Sequence, residues 1–436
     1  MPEFAHASLI DGIRFTGQIG VPSVLQGLFV KRSLPTSIAT LASLDRLGYG
    51  LVEGLIRSHG PGPFYVRVAL DEALVVSAPE DIQYVLSRSP DPFASDPETK
   101  RKGMRAFQPD ALTLSRGSVW ADRRVFTEAV LGTGQPVHRL SDQFLQIAND
   151  ETDTLERPLR WRPFHTMFRR LTRQVIFGRS ARDDTDLSRC LESLMSEGNN
   201  TPDKPGDDYA KLLSRIHSYL DAPEEDSLAW EMLTAPRSDT TKPAGQVIHW
   251  MFAMGDTLAT NTFRALAAIA AHPDERDTVR TELAHSDLST PTGIASLPYL
   301  SGCLREAMRL WPTTPMFGRV TTRRVKFPNG ATVDQGTQIL IYNLFNHRNR
   351  HHITYADKFS PNEWVDGNAA NEWSFNFFSH GPQGCPGTDL ALLLGQAVLA
   401  RLISSGAPEL PKSPLKPSRP MPYTLSPEGL TIALNV

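Results

Sequence analysis

Cysteine is scarce in this chain: three in 436 residues, Cys190, Cys303 and Cys385, widely spaced and without a C-x-x-C pair. That argues against a disulfide scaffold or a zinc knuckle and favours a reducing compartment. No stretch approaches the ~20 continuous apolar residues of a membrane span, and the opening MPEFAHASLIDGIRF carries acids where a signal peptide has a basic and then an apolar run. The expectation is a soluble cytoplasmic protein with no membrane partner. Nor does charge of one sign dominate. The 45 Lys and Arg against 48 Asp and Glu leave a net charge of −3, which removes the electrostatic reason to expect nucleic acid as a partner. Internal repeats and low-complexity tracts are missing as well. At 40% hydrophobic and 21% charged residues, the composition excludes a collagen-like, coiled-coil or wholly disordered chain.

What is plentiful is proline. Its 34 residues are spread along the chain rather than pooled in a linker, so they punctuate many short elements and mark no domain boundary. Residues 1–436 read as one domain, with an irregular N-terminal arm over about residues 1–35. A helix is predicted near 38–58, then two short strands in Phe64–Val76 around an Asp71–Glu72 turn. From about 79 to 310 apolar residues recur at three and four spacing, which predicts helices, with loops at 197–207 and 235–245. The longest apolar helix runs from about Gly245 to His272 behind Pro243, with non-polar residues on nearly every face, and belongs in the interior. Strands return at 319–345 on either side of a Pro328-Asn329-Gly330 turn. An apolar helix follows Cys385, and residues 408–436 form a Pro-rich tail with short strands. The fold class is mainly α with a minor β portion.

Chemistry concentrates in Phe378-Ser-His-Gly-Pro-Gln-Gly-Cys385-Pro-Gly387, a Gly/Pro-rich loop that sets one cysteine just before a long apolar helix. Backbone N–H groups and a helix N-terminus favour a thiolate there, as does a metal. A lone cysteine would more often be a small buried hydrophobe, but the spacing F-x-x-G-x-x-x-C-x-G resembles the haem-thiolate loop of cytochromes P450. Three further segments carry the resemblance in the family's order. Trp120 and Arg124 form a W-x-x-x-R pair on one helical face, similar to the pair that addresses haem propionates. Leu304-Arg-Glu306-Ala-Met-Arg309 matches the E-x-x-R motif, and Trp311-Pro312 through Arg319 follows it. Phe252-Ala253-Met-Gly255-Asp256-Thr257-Leu258 looks like the segment that passes over the haem.

The resemblance implies a P450 fold with the haem between the long central helix and the cysteine-loop helix. It implies a soluble, bacterial-type haem-thiolate monooxygenase that activates dioxygen to hydroxylate or epoxidise a small organic substrate in specialised metabolism. Haem b is the implied cofactor, with iron on Cys385 and contacts from Trp120, Arg124, Arg319, Phe378, His380, Gly381 and Gly387. Glu306 and Arg309 become a buried structural pair. Asp256 and Thr257 become a proton relay, because cleaving dioxygen consumes protons that an acid beside an alcohol can supply. Electrons come from NAD(P)H through a separate ferredoxin or similar redox protein, and the enzyme is a monomer. Phe107, Leu112, Leu114, Phe252, Ala253 and Leu258 are candidate walls of the substrate pocket. Arg116 and Arg123 could help dock an acidic electron donor.

Four positions depart from the family pattern. Gln383 stands where a basic residue commonly meets a propionate, which shifts that burden to Arg124 and Arg319, with His380 as a substitute. Glu363 stands where an arginine normally joins Glu306 and Arg309, so its place falls to another residue, Asn362 among the candidates, or the register differs. Met254 and Leu258 replace smaller or hydroxylated residues and make the pocket narrower and more apolar. Two other patterns carry no function: Gly48–Gly54 has one residue too many for a dinucleotide loop, and His347, His351 and His352 read as a solvated loop rather than a metal site. Cys190 and Cys303 read as ordinary thiols. The remaining alternatives are P450-type coupling, cyclisation or peroxide-driven oxidation without net oxygen insertion, and a non-catalytic haem-binding sensor.

Overall fold

Proline begins many of the helices. Pro79, Pro243, Pro273, Pro291 and Pro298 each occupy the first helical turn, where the fixed φ suits the helix and the missing N–H is not needed. This is how 34 prolines fit a mainly helical chain. The structure, a computed structural model, describes residues 3–22, 44–69, 71–200 and 203–435.

The longer helices pack around one large apolar cluster that includes Phe164, Phe168, Val247, Phe263, Leu304 and Leu394. Through its middle runs the central helix, made of Pro243–Phe252, a π turn at Ala253–Leu258, and Ala259–Ala271. Its apolar faces are buried, as the sequence pattern demands. The π turn was not foreseen; an inserted residue of this kind re-aims side chains and is common at functional sites. The cysteine-loop helix, Thr388–Ser404, lies against it: a Cβ at Gly395 would come within 3.4 Å of both Leu258 and Thr262.

The main sheet has the order β1-β2-β3-β9-β6-β4. Its strands are β1 (Ala5–His6), β2 (Phe64–Val68), β3 (Asp71–Val75), β4 (Phe93–Ala94), β6 (Met316–Thr321) and β9 (Gln338–Tyr342). A small sheet joins Ala407–Glu409, Thr431–Asn435 and β5 (Leu159–Arg160).

Several expectations need correction. Asp71 and Glu72 are not a turn: they pair with Val68 and Arg67 as the start of β3. The strand expected to reach residue 345 ends at Tyr342, and Asn343–Asn346 turn helical. Residues 243–245 belong to the central helix rather than to the preceding loop. Within the arm expected to be irregular, β1 and a helix over Leu9–Phe15 are formed, and residues 23–35 lie outside the described residues, as do residues 38–43 of the next helix. That helix is described over Leu44–His59. The Pro328-Asn329-Gly330 turn does separate two strands, Val325–Lys326 and Thr332–Val333.

Candidate active site

Four elements converge on the cysteine loop. The loop closes on itself when Cys385 N–H donates to the Phe378 carbonyl at 2.7 Å. Gly381 has φ +68°, and a Cβ there would lie 2.3 Å from the Leu86 carbonyl oxygen, so only glycine permits this approach to the helix Pro79–Ser87. From the Trp helix, Gly117–Leu131, Arg124 donates to the Gly384 carbonyl at 2.6 Å and to Glu128, also at 2.6 Å, with Trp120 half-buried one turn earlier. From the sheet side, Gln383 donates to the Ser95 hydroxyl at 3.1 Å, and Arg319 on β6 donates to the Ser379 hydroxyl at 3.3 Å.

The Cys385 side chain is surrounded by protein yet exposed, so its sulfur opens onto space beside the loop. Burial pushes the thiol above its ordinary value, and the Gly387 N–H, the Thr388 hydroxyl and the Arg124 charge work against that push without overcoming it. A thiolate held here needs a further positive partner, and a metal ion supplies one.

Arg319 states the same need with opposite sign. It is 1% exposed and donates only to neutral oxygens: Ser89 at 3.1 Å, Gly318 at 3.0 Å and Ser379. Burial alone lowers its guanidinium to about 9. A buried cation without an acid is costly, so the site is built for an anion. The buried Oε1 of Gln383 lacks a partner among the described residues as well, but as an acceptor it calls for a donor rather than an anion. A haem fits this donor set, with a soft thiolate for iron and cations for the two propionates.

Along the central helix, His249, Phe252, Ala253 and Thr257 are partly covered and recur at three and four spacing, as do Asp256 and Thr260, whose side chains bond His165 and the Asp256 carbonyl. The first four form one stripe. Phe252 meets Phe107 edge-to-face at 5.8 Å, and Leu112 and Leu114 lie in the same loop region. Leu258 does not join them, since it points at Gly395 of the cysteine-loop helix.

Asp256 leaves the stripe. The turn that carries it faces the helix Trp161–Phe177, where His165 Nε2 lies 2.6 Å and Arg169 Nη2 2.9 Å from its Oδ1. Burial works to raise its pKa, but the His165 hydrogen bond and the Arg169 charge prevail and hold the carboxylate below its ordinary value. A narrow recess runs past Arg169, Thr172, Ser188 and Asp256. His165 and Arg169 were missed because H-x-x-x-R is unremarkable until tertiary packing sets it across from the acid.

Glu306 and Arg309 are both fully buried. Glu306 accepts from Arg309 Nη2 at 2.6 Å and Nε at 2.8 Å, from Ser360 N–H at 3.0 Å and from the Trp364 indole at 3.0 Å. The third partner is therefore Trp364 with Ser360, not Asn362; Glu363 turns outward to Asn368. Arg309 also donates to the carbonyls of His347 at 2.8 Å, Ala356 at 3.0 Å and Lys358 at 2.9 Å. His347 is accordingly not a solvated residue. It is fully buried, bonded at Nδ1 to the Arg309 carbonyl and at Nε2 to the Asn376 N–H.

Two further corrections concern charge. Arg123 does not face solvent: it is 7% exposed and binds Asp110, Ser115 and the Thr240 carbonyl, which removes it from any docking surface. Arg116 is tied to Asp96. His380 donates to the Phe375 carbonyl at 3.1 Å beside the Trp373 ring, and burial lowers its pKa, which makes it a weaker cation than a free imidazole in that place. Among the described residues no cluster of His, Cys, Asp and Glu could hold a metal ion, and no helix is long and apolar enough to cross a membrane.

The sequence model of the family "Cytochrome P450" matches residues 212–432, which is half of the chain. Human "Cytochrome P450 4A22" is 31% identical over 183 residues, covering 40% of this chain and 34% of that protein. "Cytochrome P450 4c3" of Drosophila melanogaster is 30% identical over 162 residues, covering 36% of this chain and 31% of its own. "Taurochenodeoxycholic 6 alpha-hydroxylase" of Sus scrofa is 30% identical over 170 residues, covering 37% and 33%. The chain thus spans about a third of the length of the curated relatives it matches, and these relatives are animal proteins, which lend no support to a bacterial-type assignment. With the cysteine loop, the buried Glu306–Arg309 pair and the central helix in the arrangement described, the chain belongs to the cytochrome P450 family.

Proposed function

We propose that this protein is a haem-thiolate monooxygenase that inserts oxygen into a small organic substrate by hydroxylation or epoxidation. Haem b is ligated by Cys385, and electrons come from NAD(P)H through a separate ferredoxin or similar redox protein. The carrying observation is Arg319, a buried guanidinium beside the cysteine loop with no acid to answer it. The hydroxylase named among the relatives supports the reaction type. The proposal extends to a cytoplasmic monomer in specialised metabolism; the sparse, unpaired cysteines support a reducing compartment.

When bound, the haem supplies reductive activation of dioxygen. The chain supplies the rest. Gly387 N–H favours the charged form of the Cys385 sulfur and would moderate its electron density, while the Thr388 hydroxyl donates to the Cys385 carbonyl at 2.9 Å and holds the loop. Arg124 and Arg319 neutralise the propionates. Phe252 and Phe107 exclude water from the substrate side. Asp256, kept ionised by Arg169, takes a proton from His165 or from water in the recess and passes it towards the Thr257 hydroxyl on the stripe.

The test is a coupling ratio. With a ligand chosen by the optical spin-state shift it causes, and electrons supplied through a surrogate ferredoxin, the wild-type protein converts most NAD(P)H into product. Thr257→Ala should lower product per NAD(P)H by at least about tenfold while oxygen consumption continues. Tight coupling in that variant would contradict the relay, and no product from any bound ligand would contradict the monooxygenase.

A further inference from the structure

Between the short helix Glu98–Met104 and the Trp helix lies the loop that carries Phe107, Leu112 and Leu114. A loop keeps one shape only as far as its backbone polar groups are answered. Here part of the answer comes from the central helix. Gln246, 1% exposed, accepts from the Leu112 N–H at 2.9 Å and donates to the Asp110 carbonyl at 2.8 Å and the Thr241 carbonyl at 2.9 Å. One side-chain amide thus employs its oxygen and both N–H groups, and two of the three bonds go to the backbone of the loop.

The contacts continue along one line of the helix. Gln246, His249 and Phe252 follow one another at three-residue spacing on a shared face, and they meet the loop in reverse order. Gln246 bonds Asp110 and Leu112, His249 Nδ1 lies 2.8 Å from the Gln108 side-chain oxygen, and Phe252 packs edge-to-face on Phe107. The loop is therefore laid antiparallel along the helix. Gly245 shows how closely: a Cβ there would lie 2.6 Å from the Cβ of Asp110. Glycine is a poor helix residue, and this approach accounts for it at position 245. From the Trp helix, Arg123 fastens the same stretch through Asp110 Oδ1 at 3.0 Å and the Ser115 hydroxyl at 2.9 Å.

We propose that Gln246 is a positioning residue for substrate choice. By holding the backbone of Asp110 and Leu112 it fixes the loop that bears Phe107, Leu112 and Leu114 against the central helix, so the site selects on ligand bulk instead of reshaping around each ligand. Gln246 acts through the loop, being itself covered. The inference rests on the reading above of which residues wall the substrate pocket; the clip between loop and helix does not depend on haem.

The test compares the haem-loaded protein with two variants. Gln246→Leu keeps an apolar side chain of similar size and loses the three bonds, whereas Gly245→Ala retains Gln246 and pushes the loop away with its added carbon. Amide hydrogen exchange, followed by mass spectrometry, reads the loop: residues 107–115 should exchange at least about tenfold faster in both variants, with the cysteine-loop helix unchanged. Binding of imidazole, N-phenylimidazole and N-tritylimidazole, followed by the optical shift of nitrogen ligation, reads the bulk admitted. Imidazole affinity should stay as it is, while the affinity of the trityl compound relative to imidazole rises by at least about tenfold in both variants, with the phenyl compound between. Unchanged exchange in the loop, faster exchange throughout the chain, or a loosened loop with an unaltered affinity ratio would each overturn the proposal. A wild-type protein that shows no shift with imidazole itself would fail the haem reading instead, and is recognised by that control.

Discussion

Two of the buried charged sites in this fold differ in kind. Around Glu306 and Arg309 the accounts close: the carboxylate oxygens meet the guanidinium, an amide and an indole, and the guanidinium reaches three further carbonyls at 3.0 Å or less. Around Arg319 they do not, because this cation is held only by neutral oxygens. A closed cluster fixes the fold by itself. An open one stores a need that a ligand answers, and its place beside Cys385 says which ligand. Burial of charge alone therefore does not mark a binding site, and neither does a missing salt bridge, since Arg173 is also buried on neutral oxygens; Arg319 stands out because it lies beside the cysteine loop.

The sharpest way to break this contrast is at the closed cluster. Arg309→Met, which leaves Glu306 buried and alone, should cost about 3–5 kcal/mol of folding stability, measured by denaturant unfolding of the haem-free chain. The same change at the open cluster, Arg319→Met, should leave the haem-free chain as stable or more stable, because it removes an uncompensated charge. It should also speed haem loss by about tenfold or more. If Arg319→Met unfolded the haem-free chain as severely as Arg309→Met, the distinction would collapse.

A smaller effect concerns the acid on the central helix. Asp256→Asn removes the group that His165 and Arg169 hold ionised, while keeping its shape. Product formation should fall by about 100-fold, with haem binding unchanged, and the solvent isotope effect on turnover should rise. The smallest concerns Trp364, whose indole completes the closed cluster from outside. Trp364→Phe keeps the ring but loses one hydrogen bond to a buried carboxylate, and should cost about 1.5–3 kcal/mol, again read from denaturant unfolding. A loss near that for Arg309→Met would show the cluster to be less evenly shared than its geometry indicates.

How much of this was legible in the sequence follows from how local each signal is. The Cys385 loop, the Trp120–Arg124 pair and the Glu306–Arg309 pair are set by spacings of a few residues, so they could be read directly. The apolar faces of the central helix likewise announced its burial. The π turn at Ala253–Leu258 could not be read, because it leaves no periodic trace in so short a stretch. His347, Arg123 and Trp364 were misjudged or missed for the same reason: each has a partner far along the chain, 38, 117 and 58 residues away respectively. A positive signal did exist for Trp364, since an indole near a motif lacking its usual arginine is a donor available to replace it.

The central claim is that sulfur of Cys385 binds the iron of a haem. It is tested most directly by reconstituting the protein with haem, reducing it under carbon monoxide and recording the absorption spectrum. The account predicts the strongly red-displaced Soret band that thiolate ligation gives, lost in Cys385→Ser. A colourless protein, or a band at the position given by nitrogen ligation in the unaltered chain, would contradict it.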